Sequence, residues 1–222
     1  MIKDFRRITV FAGHYGSGKT NIAVNYSALI REATGKKVAL ADLDIVNPYY
    51  RAKDSTDRLE KLGIRMISSP FANSNVDLPA LPSEAYSIID DEETFAVCDV
   101  GGDDRGAYAL GRYREGIVKG DYEMLMVVNM YRPLTRTVEE VLEMKAEIEA
   151  AAGIPFTGIV NNSNIGPLTT KEDVVKSFDF IAEISKETGL PLRFTAVWDK
   201  IYCELSGEYE NLIPLTLQER VW

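Results

Sequence analysis

The string Gly13-His14-Tyr15-Gly16-Ser17-Gly18-Lys19-Thr20 reads G-x-x-x-x-G-K-T, and it stands between the apolar run Ile8 to Ala12 and a helical pattern beginning at Asn21. No other stretch restricts the fold so tightly. A strand that feeds such a loop and then a helix gathers backbone N–H groups around one point, and the positive end of the helix dipole adds to the attraction. The string is read as a phosphate-binding loop in which Gly13, His14, Tyr15, Gly16, Ser17, Gly18 and the first helical residue Asn21 surround a phosphate chain. Lys19 is placed to reach the β and γ phosphates, and Thr20 to give its hydroxyl to Mg2+.

Beyond the loop, short β-branched runs alternate with helical periods and Gly or Pro punctuation, the pattern of βαβ units on a mostly parallel sheet. Strands are expected at Ile8 to Phe11, Val38 to Ala41, Ile64 to Ile67, Thr94 to Cys98, Glu123 to Val128, Phe156 to Val160 and, as the last, Arg193 to Val197. Ile22, Ala23, Tyr26, Leu29, Ile30 and Ala33 recur at helical spacing, and Gly35 is placed to end that helix in the left-handed conformation. Asp54 to Leu62 reads as a surface helix, and Ser68 to Pro82, with three prolines, as an irregular crossover. Thr137 with Glu140 and Thr170 with Asp173 are expected to open two further helices, the second ending near Gly189. No repeat or linker is visible, so residues 1–222 are read as a single nucleotide-binding domain.

Composition narrows the function. The 222 residues carry a net charge of -9, which argues against sequence-independent nucleic-acid binding, since that needs a basic face. Cys98 and Cys203 are far apart and form no C-x-x-C, so neither a disulfide framework nor a cysteine metal site is suggested, and a reducing cytosol fits. No run approaches transmembrane length. The tail Asn211 to Trp222 is interrupted by Pro214 and has Arg220 as its only cation, which argues against a membrane anchor. Its leucines and Trp222 are expected to pack on the body or on a partner.

Ligands of open parallel sheets sit at the carboxyl ends of the strands. The second strand exits into Asp42-Leu43-Asp44, two carboxylates that could hold Mg2+ through water and orient an attacking water; alternatively one caps the next helix and the other is solvated. A later strand exits into Asp99-Val100-Gly101-Gly102, which puts Asp99 opposite Thr20 in the metal shell and lets Gly102 bring a backbone N–H to the γ-phosphate; alternatively it is a tight acidic turn. Two more exits are Asn129-Met130-Tyr131-Arg132-Pro133 and Asn161-Asn162-Ser163-Asn164. The N-K-x-D string of guanine-specific proteins is missing. An asparagine amide offers both a donor and an acceptor, which suits adenine, so Asn161 or Asn162 is the expected base reader and ATP the expected nucleotide, unless the cluster merely caps a helix.

A strand, G-x-x-x-x-G-K-T, a D-x-D after the next strand and a D-x-G-G after a later one together resemble the MinD/ParA (CobQ/CobB/MinD/ParA) group of P-loop ATPases. The resemblance follows the order of motifs over nearly the whole chain, with the first motif the most specific. It implies the three-layer α/β P-loop NTPase fold, a mostly parallel twisted sheet flanked by helices. It also implies an ATP–Mg2+ site in which Lys19 and Thr20 hold phosphates and metal, Asp44 positions the hydrolytic water, and Asp42 and Asp99 support Mg2+. ATP-driven, face-to-face homodimerisation and an unidentified protein partner complete what it implies. The catalytic residues are then Lys19, Asp44 and Asp42, and the metal ligands Thr20, Asp42 and Asp99.

One departure stands out. Members of that group have a second lysine early in the loop that reaches the partner's phosphates, and this chain has His14, its single histidine, there. His14 is either charged beside the triphosphate or an ordinary loop residue, and Arg51, Arg105 and Arg112 are candidates for the missing cation. The leading expectation is a cytoplasmic Mg2+-dependent ATPase acting as a nucleotide-dependent switch. A synthetase or kinase of the same fold, resembling dethiobiotin synthetase, and a nucleotide-sensing module with little hydrolysis are the alternatives.

Overall fold

Each apolar run that lacks polar alternation becomes a strand buried on both faces, as parallel sheets require. The computed structural model describes residues 4–43, 58–68, 87–102 and 104–217. The strands are β1 (Ile8–Ala12), β2 (Val38–Leu43), β3 (Arg65–Ser68), β4 (Phe95–Val100), β5 (Tyr122–Val128), β6 (Gly158–Asn161), β7 (Leu192–Trp198) and β8 (Leu212–Leu215). They form one sheet in the order β3-β2-β4-β1-β5-β6-β7-β8, and every pairing is parallel. After β1 the chain builds outward on one side through β2 and later returns to build β5 to β8 on the other. The carboxyl end of β1 therefore lies at the switch point, where such sheets bind ligands.

Helices cover both faces. They are α1 (Lys19–Thr34), α2 (Ser87–Asp90), α3 (Asp104–Gly111), α4 (Arg114–Lys119), α5 (Val138–Ala152), α6 (Lys171–Thr188) and α7 (Asp199–Leu205). On one face Val10, Cys98, Met124 and Met126 pack with Ala107, Leu110 and Ile117 of α3 and α4 and with Val141, Met144 and Ile148 of α5. On the other, Phe11, Val97, Leu125, Val127 and Phe194 pack with Ile22, Ala23, Tyr26 and Ile30 of α1. Tyr26 meets Phe11 edge-on at 5.3 Å and stacks on Phe194 at 5.6 Å. Such ring pairs each add about 0.5–1.5 kcal/mol beyond area burial, which fixes α1, and hence the loop before it, on the sheet.

The helix signals act as expected. Gly35 is left-handed (φ 66) and donates to the Arg31 carbonyl, closing α1. Thr137 with Glu140 and Thr170 with Asp173 form reciprocal capping boxes, and Gly189 (φ 71) ends α6. Two expectations need correction. The strand β7 is not the last, because Leu212–Leu215 joins its edge, with Pro214 exposed where no further strand needs an N–H donor. The helices α3 and α4 lie in a stretch to which the sequence assigns no element. The strand β6 starts at Gly158 rather than Phe156 and carries an irregularity against β7 at Ile159/Val160. The start of the expected 54–62 helix, most of the 68–82 crossover and Trp222 lie outside the described residues.

Candidate phosphate-binding site

The loop after β1 turns through Gly13, Gly16 and Gly18, all at positive φ, and runs into α1 without a side-chain cap. Ser17 N–H donates to the His14 carbonyl at 3.2 Å, closing a turn across the middle of the loop. Gly18 has a double constraint. Its φ of +89 is a region L side chains rarely adopt, and a Cβ there would lie 2.3 Å from Asn162 Nδ2. Lys19 is buried, and its Nζ donates to the His14 carbonyl at 3.1 Å, so the ammonium bends back over the loop.

At the mouth of the loop Thr20 Oγ1 donates to Asp99 Oδ2 at 2.6 Å. Asp99, at the end of β4, is buried, and Asp42 of β2 is its register partner in the neighbouring strand. Thr20, Asp42 and Asp99 are thus brought to one place. The three supply only oxygen, the donor set of a hard cation such as Mg2+. Among the described residues no group of three or more His, Cys, Asp or Glu side chains could hold a metal by itself. Asp44 lies outside the described residues.

The turn after β4 presses on the loop. A Cβ at Gly102 would lie 2.5 Å from Tyr15 N and 2.7 Å from Tyr15 Cα, so only a glycine permits this approach. One step further, a Cβ at Gly106 in α3 would lie 2.7 Å from Gly101 Cα. The D-x-G-G turn therefore forms a wall of the loop. His14 N–H faces Met144 Sδ of α5 at 3.2 Å, and Tyr15 is exposed.

The exits of β5 and β6 are fastened to one another. Asn129 Oδ1 accepts from the N–H groups of Tyr131 and Asn164, its Nδ2 donates to the Asn164 carbonyl, and Met130 N–H donates to Ser163 Oγ. Asn161 Nδ2 donates to Ser177 Oγ at 2.7 Å, while its Oδ1 accepts from Ser163 N–H. Asn162 Nδ2 donates to the Ser17 carbonyl at 2.6 Å. Both side chains are buried. Their amide donors serve the protein frame, so neither Asn161 nor Asn162 has the geometry of a base reader, and Thr170 rather than either caps α6. Asn162 instead braces the loop from beneath. Sequence patterns give no sign of this, because Ser17 and Asn162 are 145 positions apart.

Of the arginines considered as a cation source, Arg51 lies outside the described residues and Arg105 falls in the first turn of α3. Arg112 is exposed and follows Gly111, which abuts Ala151 and Ala152 at the far end of α5, so it belongs to the opposite edge of the sheet. Of the large apolar side chains left exposed among the described residues, Tyr15 follows β1, Leu134 follows β5, and Ile165 and Leu168 follow β6, all at the carboxyl ends of the strands, while Tyr108 lies on α3 and Val118 on α4. Among the described residues no helix is long and apolar enough to cross a membrane.

No protein-family model matches the chain, and no curated protein sequence does. Solved structures do. Cell division protein FtsY from Thermotoga maritima aligns with a TM-score of 0.60 at 19% identity, over 88% of this chain and 63% of that one. Chloroplast FtsY from Physcomitrella patens aligns at 0.59 and 18%, over 86% of this chain and 58% of its own. The Signal Recognition Particle 54 kDa protein of Aeropyrum pernix, solved in complex with GDP, aligns at 0.57 and 15%, over 88% and 42%. The chain spans less than two thirds of each of these. At such identities the likeness is one of architecture, and it agrees with the eight-stranded parallel sheet and the loop at its switch point: the fold is that of the P-loop NTPases.

Proposed function

We infer that this chain is a single-domain, Mg2+-dependent nucleoside triphosphatase of MinD/ParA type, in which ATP acts as the switch for self-association and for binding a protein partner. The observation that carries the reading is the convergence of Lys19, Thr20, Asp42 and Asp99 on a glycine-built loop at the switch point of the sheet. In this reading Lys19 leaves the His14 carbonyl for the phosphates, and the loop N–H groups take up the oxygens. Thr20, Asp42 and Asp99 hold Mg2+, which when bound neutralises charge on the transferred phosphoryl group. Asp44 orients the attacking water, and Gly102 brings its N–H to the terminal phosphate.

The choice of ATP rests on the β6 exit. Guanine is read by a carboxylate that accepts two bonds from its edge, and residues 161–164 supply none; Asp173, the next acid but one, is engaged in the capping box of α6. Self-association is supported by the exposed rim of Tyr15, Leu134, Ile165 and Leu168, since apolar groups collected around one site mark contact surfaces. An exposed free Cys203 fits the reducing cytosol.

Phosphate release from ATP and GTP, with Mg2+, is the direct test. Wild type turns over ATP in preference to GTP, Lys19→Ala loses binding, and Asp44→Ala binds but hydrolyses slowly. Light scattering behind size exclusion shows a dimer only with a nonhydrolysable ATP analogue. Equal turnover in all three proteins discards the scheme; release that waits for a small metabolite selects a kinase or synthetase.

A further inference from the structure

The exit of β5 carries a cation that sequence spacing does not single out. Arg132 Nε is buried and has no hydrogen-bond partner among the described residues, nor does any described carboxylate lie at ion-pair distance from this guanidinium. The side chain is half-buried, and one of its N–H donors, kept from water without an acceptor, is unfavourable in the apo protein. The side chain crosses the phosphate-binding loop: a Cβ on Gly16 would lie 3.9 Å from Arg132 Cδ.

Its position is built rather than incidental. Arg132 N–H donates to the Asn129 carbonyl, Thr135 donates back to the carbonyls of both Arg132 and Asn129, and Asn129 is itself fastened to Asn164. Pro133 restricts the backbone of Arg132 just before it. The turn is therefore held by its own hydrogen bonds and by the exit of β6. A cation fixed over the loop, with a donor directed at nothing the described residues supply, calls for an anion from outside.

We propose that Arg132 is a phosphate-binding residue of the nucleotide site, donating in cis to the phosphate chain across Gly16 and supplying the charge for which this chain has His14 instead of a second loop lysine. The inference rests on the nucleotide-binding reading above. It assigns Arg132 a contact to substrate.

The test is calorimetry of ATP, ADP and the base-free probe tripolyphosphate, each with Mg2+, on wild type, Arg132→Gln and Arg132→Lys, beside urea unfolding of the three apo proteins. Arg132→Gln weakens ATP and tripolyphosphate about 10- to 100-fold, the worth of a hydrogen bond to a charged group. Arg132→Lys recovers part of this, because it keeps the charge and loses the planar fork. Apo stability of Arg132→Gln stays level or rises, since an unsatisfied buried donor has been removed, whereas an arginine with a purely structural role would lose stability. Wild-type affinity in Arg132→Gln for both probes overturns the proposal and leaves the nucleotide reading intact. Silence of the wild type toward every probe overturns both.

Discussion

Replacing Gly18 by alanine tests the architecture of the loop through two separable costs. A left-handed φ costs an L residue about 1–2 kcal/mol, and φ at Gly18 is +89. The new Cβ would also stand 2.3 Å from Asn162 Nδ2, so the amide must move and abandon its 2.6 Å bond to the Ser17 carbonyl. Ser17 and Asn162 are 1% and 4% exposed, so water cannot replace that bond, and leaving its groups unsatisfied costs about 1–3 kcal/mol. Together Gly18→Ala is expected to lose ~2–5 kcal/mol, a large share of the stability of an ordinary domain. The assay is equilibrium urea unfolding of wild type, Gly18→Ala, Asn162→Ala and the double variant. Because the two single changes forfeit the same hydrogen bond, and Asn162→Ala deletes the clashing atom, the double variant should be less destabilised than their sum, by ~1–3 kcal/mol. Strict additivity, or a Gly18→Ala protein within about 0.5 kcal/mol of wild type, would refute the idea that Asn162 props up the loop.

Three further outcomes follow from the structure. Glu123 accepts from Thr9, Tyr26 and Arg193 at the amino edge of the sheet, so Glu123→Ala should cost about 3–5 kcal/mol by taking the acceptor from the buried Thr9 and Tyr26 hydroxyls and from Arg193 Nε, while nucleotide affinity stays unchanged; thermal unfolding and calorimetry check both. Native protein should show one thiol reactive to a disulfide reagent, Cys203, and two after denaturation; moreover burial pushes the Cys98 thiol from 9.0 up to about 12, so the unfolded chain ionises first and stability measured by urea unfolding falls as pH rises from 9 toward 12, by at most about 1.4 kcal/mol per unit from this group. Thr170→Ala removes the cap of α6 and should cost about 1 kcal/mol in the same measurement, with no change in turnover.

What could be read from the sequence was whatever depends on local chemistry. The loop glycines, the cap of α1 at Gly35, and the capping boxes at Thr137 and Thr170 each express a backbone requirement within a few residues, and each is met where expected. Asp42 and Asp99 were legible as strand exits, and adjacent parallel strands bring them together. What escaped depends on distant partners. The amide of Asn162 looked outward until its acceptor, Ser17, was known, and the isolated donor of Arg132 exists only once the β5 exit is folded over Gly16. The strand β8 is four residues with a proline among them, and only its place at an open sheet edge makes that tolerable. Gly106 and Gly111 carried no sequence signal, and they are the bare surfaces by which α3 rests against Gly101 after β4 and against Ala151 and Ala152 of α5.

Those glycines leave main chain bearing directly on main chain, from Tyr15 to Gly102 and from Gly101 to Gly106. Ordinary protein contacts absorb small displacements by rotating a side chain, and here there is none to rotate. Any guest that shifts the backbone at Tyr15 must shift the turn after β4 as well, and through it the helix that displays Tyr108 on the outside of the molecule. Occupancy of the cradle thus acquires a stiff linkage to the exterior, with close-set backbones as its pushrod.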